Sequence, residues 1–497
     1  MSAPTDPARE MTATFRERAF LSLLVIPWLW PFTPGPSASV GPLLGAWTCL
    51  LLAVSLLVWD REPAGLLARA LPSSWRIAAC VSAVIGLMQY FGTVPSVSLI
   101  SSAQLGEAYG NLRQKNQFAT LMGLGFAAFV WHGAAVSALR WPAVVLLATA
   151  SAASASRTGL LEWFVVAILA FAWKPRDRGR LVLCGVALCA YVAASLVLPQ
   201  ALTLLRGEAV PNVFGRAMSE LGCSSRRVLW GNVLHLIALR PWTGWGLGEL
   251  DYAHYATLYD GPRFCDILDN AHNLPLHIAV ELGIPAALLV VCTIAFCVWR
   301  GKPWRTAPQA ERLAWTALAL IGLHSLLEYP LWYGPFQMAV AFSVWLLVRP
   351  RALGAPQRAL AAWGCALGLA ALAWAASLYD AVGQPYKQPE ERRAAYRADP
   401  IGAAGDPLVF RAQLRFAELS LADVTPGTAV RVHELALDLL HYSPEPMVVE
   451  KLIESALLLG RVDEARWHAL RFRAAFPERY RQWRSQSSVA ARLPSAP

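Results

Sequence analysis

LDNAHNLPLHIAVELGIPAALL, residues 268–289, opens on a polar turn and ends inside an apolar run that continues to about Trp299. Asp269, Asn270, His272 and Asn273 crowd into five positions, and apolar residues then take over at helical spacing. An imidazole therefore stands where a wet loop enters a helix of membrane character. Histidine is the side chain best suited to proton transfer near neutral pH. Ionisable groups at the edge of a membrane span are expensive and usually functional. A capping histidine without chemistry fits the same residues, so the rest of the chain has to separate the two readings.

The chain of 497 residues is 56% hydrophobic and 15% charged, which points to an integral membrane protein. Its 21 Trp residues fit that class, because indole rings favour the membrane–water boundary. Apolar runs at about 19–32, 42–59, 75–94, 117–134, 141–156, 158–173, 181–199, 276–299, 312–328, 335–348 and 359–379 predict an all-α polytopic membrane protein with about eleven transmembrane helices. The net charge of +10 is not read as a nucleic-acid footprint, since the cations lie mostly in short loops between runs, where they set orientation. With a cytoplasmic N-terminus, Arg69, Arg76, Arg140, Lys174, Arg300, Arg349 and Arg358 fall inside, while the outer loops 33–41 and 329–334 carry no Lys or Arg.

The expected location is thus a membrane, with the outer face in the periplasm if the host is a Gram-negative bacterium and the membrane its inner one, and the chain has four segments. These are N-terminal helices 1–199, a large periplasmic loop 200–275, C-terminal helices 276–379 and a periplasmic helical domain 380–497. In that last part VVEKLIESALLLGRVDEARWHALRFRAAFP reads as two antiparallel helices joined at Gly460-Arg461, a tetratricopeptide-like pattern suited to packing or binding polypeptide. Cys223 and Cys265 bracket the large loop and could form a disulfide in an oxidising compartment. No Cys/His spacing and no paired acidic cluster suggests a metal site, and no cofactor is expected.

Three outer segments keep positive charge against the topological bias. These are Arg113 in 109–120, Arg157 in the tight loop 156–159, and Arg206, Arg216, Arg226, Arg227, Arg240 and Arg263 in the large loop. An anionic ligand explains them, as would phospholipid headgroups. Arg113, Gln114, Arg157, Arg226, Arg227, His272, Asn273, His324 and Glu328 share one predicted membrane face. Guanidinium groups around one histidine suit a diphosphate: arginine holds phosphate oxygens and stabilises a pyrophosphate leaving group. His272 can then deprotonate an acceptor hydroxyl for attack at a sugar anomeric carbon, without a metal. His324 and Glu328, one turn apart, read as a satisfied interfacial pair.

These stretches together resemble the O-antigen ligase superfamily, and within it the bacterial protein O-oligosaccharyltransferases. NLRQKNQFAT (111–120) resembles the segment marking the protein-glycosylating branch. SRTGLL (156–161), SRRVLW (225–230), RPWTGWGLGEL (240–250) and 268–289 resemble the ligase core, and HSLLEYPLWYGPF (324–336) the segment after it. Lys115 and Ala286 depart from the pattern, where Pro or Arg and Gly would be usual. The resemblance implies His272 as the catalytic histidine, Arg226 (or its neighbour Arg227) as the loop arginine on the donor diphosphate, and Arg157 and Arg113 as further diphosphate ligands. Gln114, Asn116, Asn273, His324 and Glu328 would support them. The implied donor is an undecaprenyl-diphosphate-linked oligosaccharide in membrane lipid, and the implied acceptor a periplasmic or pilin protein. Ligation to lipid A core, O-antigen polymerisation, and a transporter of polyprenyl-linked sugars are the alternatives.

Overall fold

A computed structural model describes residues 7–60, 62–132, 137–174, 176–207, 222–305, 307–349, 353–490 and 493; Arg216 lies outside them. Every ordered element among these residues is helical. Each of the eleven apolar runs is helix: α1 Pro7–Leu29, α2 Val40–Val58, α3 Pro63–Tyr90, α4 Lys115–His132, α5 Ser137–Ala153, α6 Arg157–Trp173, α7 Arg178–Arg206, then, after the loop, α11 Ile284–Gly301, α12 Gln309–Ser325, α13 Gly334–Val348 and α14 Ala355–Gly383. Five stretches among them are long and apolar enough to cross a membrane: α2, α3, α7, α11 and the stretch Ala355–Tyr386. Inside such helices no water is at hand, so hydroxyls bond back to the carbonyl one turn earlier. Thr48 does so to Leu44 O at 2.8 Å, and Ser195 to Tyr191 O at 2.9 Å.

The chain divides into two compact units. One comprises residues 1–219 and 297–374, the other 220–296 and 375–497. In the first, α4 is buried along nearly its whole length among α3, α5, α6 and α12. Its two ends differ. At the His132 end the neighbouring arginines gather: Arg180 donates to Val130 O at 2.8 Å, and Arg180 and Arg312 both lie over the Trp131 ring. At the Lys115 end lie the motif segments. A Cβ on Gly159 would stand 2.5 Å from the Ala119 Cβ, so only glycine lets α6 approach α4 this closely.

The second unit joins the large loop to the tail. Its loop part contains α8 Arg226–Leu239, α9 Leu250–Ala256 and α10 Leu274–Leu282, and Cys223–Cys265 is a disulfide with Cα atoms 5.5 Å apart. The tail runs α15 Pro400–Ala404, α16 Arg411–Leu421, α17 Ala429–Leu440, α18 Pro446–Leu458, α19 Val462–Ala475 and α20 Pro477–Gln486. The predicted helix pair is α18 and α19, turning at Gly460 with φ +77°. Loop and tail share a core: Tyr255 joins the tail cluster, its hydroxyl lies 2.9 Å from His468 Nδ1, and Arg471 donates to Ala256 O at 2.7 Å.

The run expected as one helix over 276–299 is broken at Gly283. Its φ is +87°, and Pro285 starts the next helix. The break is paired with the RPWTGWG segment, which docks backbone to backbone on it. Trp245 N–H donates to Val280 O, Gly246 N–H to Glu281 O and Ile284 N–H to Pro241 O, at 2.9, 2.9 and 2.8 Å. A Cβ on Gly283 would lie 2.2 Å from Trp242 O. Gly283→Ala is therefore expected to lower the unfolding midpoint sharply, combining left-handed strain of about 1–2 kcal/mol with a backbone clash. Gly231→Ala, in the open middle of α8, should be neutral or stabilising by up to about 1 kcal/mol. Equal midpoints for the two variants would refute this account of the break.

Asp251 on α9 is only 7% exposed, and burial pushes its carboxyl up to about 7, with Glu249 and Asp269 adding to the rise and the Tyr252 N–H bond opposing it. An acid whose folded pKa lies above its unfolded value gives stability below the unfolded value and loses it as pH rises through the folded one. The window here is about pH 4 to 7, at up to about 1.4 kcal/mol per pH unit. Asp251→Asn should thus gain stability over wild type at pH 8 and little at pH 4. Unfolding midpoints of both proteins across this range check it; a constant difference would overturn the assignment.

Candidate active site

His272 sits in a turn braced on both sides. Its φ is +49°, a left-handed conformation that His, Asn and Asp tolerate better than most residues. Asn270 Oδ1 accepts the His272 N–H at 2.8 Å, and Asn273 caps α10 by accepting the Leu276 N–H at 3.1 Å. Trp230 Nε1–H donates to Ala271 O at 3.1 Å, tying the residue before His272 to α8. The imidazole is therefore held on a fixed backbone and is only half-buried.

Trp230 lies one turn after Arg226, on the same helix face. Ser225 caps α8 by accepting the Val228 N–H, which leaves Arg226, half-buried, and Arg227, exposed, in the first turn. Cations at a helix N-terminus run against the macrodipole and cost a few tenths of a kcal/mol or more. Two guanidinium groups beside the helix N–H groups suit an anion. Asn232 keeps the loop in place behind them, donating to Pro262 O at 3.0 Å and accepting the Phe264 N–H at 2.8 Å.

In the other unit the three remaining motifs meet. Asn116 Nδ2 donates to Glu328 Oε1 at 2.9 Å, and Asn116 Oδ1 accepts the Ser156 hydroxyl at 2.6 Å. One amide thereby joins NLRQKNQFAT, the SRTG turn and HSLLEYP. Ser156 Oγ also accepts the Gly159 N–H at 3.0 Å, capping α6, and Arg157 follows as its exposed first residue. Beneath lies a second layer: Thr120 Oγ1 is 3.0 Å from Asn116 O, 2.6 Å from Glu162 Oε1 and 2.8 Å from His324 Nδ1. The hydroxyl has one hydrogen to give, so it must also accept, and His324 can supply a proton from Nδ1.

Of the predicted residues, Asn116, His324 and Glu328 enter this network. Arg113 is bound to Ser101 Oγ at 3.0 Å, Pro31 O at 3.2 Å and Thr33 Oγ1, and Gln114 Oε1 accepts the Gln117 N–H at 2.6 Å. Both hold the turn that opens α4. Sequence reading missed Ser156, Thr120 and Glu162. Glu162 is fully buried, and its Oε2 has no hydrogen-bond partner. Its signal was present: it is the lone acidic residue of an apolar run, a flag for function in membrane helices. Among the described residues no three His, Cys, Asp or Glu side chains gather as a metal site.

Residues 142–291, from α5 through the SRTG turn, α8 and His272 into α11, match the O-antigen ligase family. Over that stretch the chain is similar to O-antigen ligases. Ahead of that region, residues 108–131 match the protein glycosylation ligase family, and behind it residues 312–490 match the family described as virulence factor membrane-bound polymerase, C-terminal. The chain is 24% identical over 317 residues to a general O-oligosaccharyltransferase of Acinetobacter baylyi. That match spans 61% of this chain and 55%, about half, of the relative. No solved structure matches. The stretch matching O-antigen ligases thus holds Arg157, Arg226, Arg227, His272 and Asn273, and the stretch matching protein glycosylation ligases holds Arg113, Gln114 and Asn116.

Proposed function

We propose that this protein is an O-oligosaccharyltransferase of a bacterial inner membrane. It moves a glycan en bloc from undecaprenyl diphosphate to Ser or Thr hydroxyls of periplasmic or pilin proteins. His272 takes the proton of the acceptor hydroxyl, the hydroxyl oxygen forms the new bond at the anomeric carbon, and undecaprenyl diphosphate leaves from the opposite face with the old bond's electrons. The configuration inverts, and no metal is required. Arg226 and Arg227 bear on the diphosphate, with Arg157 and Arg113 proposed in the same role and Asn273, Gln114, Asn116, His324 and Glu328 in support. The chain crosses the membrane eleven times with its N-terminus cytoplasmic. The large loop and the tetratricopeptide-like tail are periplasmic.

The observation that carries the acceptor class is the Asn116 bridge, because the segment matching protein glycosylation ligases is built into the same network as the SRTG turn of the stretch matching O-antigen ligases. The match of residues 312–490 to a membrane-bound polymerase favours one second reading, polymerisation of glycan repeats. Purified protein incubated with lipid-linked oligosaccharide, EDTA and either a pilin-like protein or lipid A core separates the readings. Glycan on the protein is expected. Glycan on lipid A core alone, or lipid-linked ladders of repeats, would overturn the acceptor and leave the chemistry standing. Loss of transfer in EDTA would overturn metal independence.

A further inference from the structure

At the motif end of the first unit lies a cavity of about 330 Å³, bounded by the end of α1, the turn before α2, the segment leading into α4 and the start of α13. That volume lies within the usual range of small-molecule sites, about 300–1,000 Å³. Gln114 and Gln117 give it a polar wall, and Trp30 and Tyr333 give it aromatic surface. Gln117 is 2% exposed, and its amide oxygen has no hydrogen-bond partner. Neighbouring Asn111 contrasts with it: its oxygen accepts the Ser101 N–H at 3.0 Å, and its nitrogen donates to Leu29 O and Leu99 O at 2.8 and 2.9 Å. Asn111 is consumed by the fold. Gln117 is not, and an unpaired buried acceptor is unfavourable until a donor arrives.

An acceptor oxygen selects against an anion and for an O–H or N–H donor. Arg113, which also lines the cavity, is tethered to Ser101, Thr33 and Pro31 by one N–H from each guanidinium nitrogen. A neutral ligand with many hydroxyls and apolar C–H faces fits amides beside aromatic rings. We propose that this cavity seats a sugar residue of the lipid-linked donor, one hydroxyl donating to Gln117 Oε1. The inference rests on the transferase reading above and adds to it a site for the glycan beside Arg113, one of the proposed diphosphate ligands.

The test is equilibrium binding to the full-length protein in nanodiscs. Two probes are compared: undecaprenyl-diphosphate oligosaccharide extracted from the native host, and undecaprenyl diphosphate without sugar. Wild type should prefer the sugar-bearing lipid about tenfold, the scale of one well-made hydrogen bond. Gln117→Leu removes the amide at similar volume. Ser39→Trp fills the cavity from an exposed position whose side chain makes no cap bond. Both variants should lose the preference and bind the sugar-free lipid as wild type does. Equal binding of the two lipids by wild type, or a preference that survives both variants, overturns the glycan site and leaves the transferase reading intact. Weaker affinity for the acceptor protein with an unchanged lipid preference would reassign the cavity to peptide. Failure of wild type to bind either lipid overturns the transferase reading, and the glycan site with it.

Discussion

His272→Asn should reduce glycan transfer by about 10²–10⁴-fold, the usual contribution of a general base. Asparagine is the informative replacement, since it tolerates the left-handed backbone at φ +49° and cannot accept a proton at working pH. His272→Ala should lose the same activity but also strain the turn. If His272 acts only as a brace, Asn would restore what Ala loses. Single-turnover transfer with saturating donor therefore separates the roles: equal, large losses in both variants support the base, and activity within tenfold of wild type in the Asn variant would remove His272 from the chemistry. Donor binding should be nearly unchanged in either variant, because the proposed diphosphate contacts come from arginines.

Loss of the Cys223–Cys265 disulfide should be the largest stability effect. It closes 42 residues that contain α8, α9 and the arginine pair at the start of α8. On the chain-entropy model that closure contributes about 4 kcal/mol. Cys223→Ser, Cys265→Ser and the double variant should therefore share one lowered unfolding midpoint, and dithiothreitol should bring wild type down to it. Transfer should fall along with stability, since α8 carries both Arg226 and the indole that holds Ala271. Peptide mass mapping of untreated protein showing both thiols free would defeat this prediction.

The two α8 arginines and His272 stand out in the sequence as candidates because ionisable groups are rare beside an apolar run. The network at the Lys115 end was only half legible. Asn116 and Glu328 were singled out, yet their contact spans 212 positions, and no periodicity reports on such a pair. His324 and Glu328 read as a local i,i+4 pair, the nearest partner sequence can offer, whereas the structure also gives each a partner on α4. Glu162 was passed over inside its apolar run, and only packing revealed the Thr120 hydroxyl facing it from a different helix.

Sequence by itself determined that this protein is helical and where its apolar helices fall. Backbone groups away from water must be satisfied within their own segment, so a long apolar run has little choice but helix. It also marked His272 and the motif arginines as chemically costly where they stand. Tertiary structure alone decided that Cys223 meets Cys265, that Gly283 breaks the run because the Trp242 backbone docks against it, and that Asn116 joins Ser156 to Glu328. Each of these depends on the approach of segments far apart in the chain, which packing fixes and local pattern does not encode.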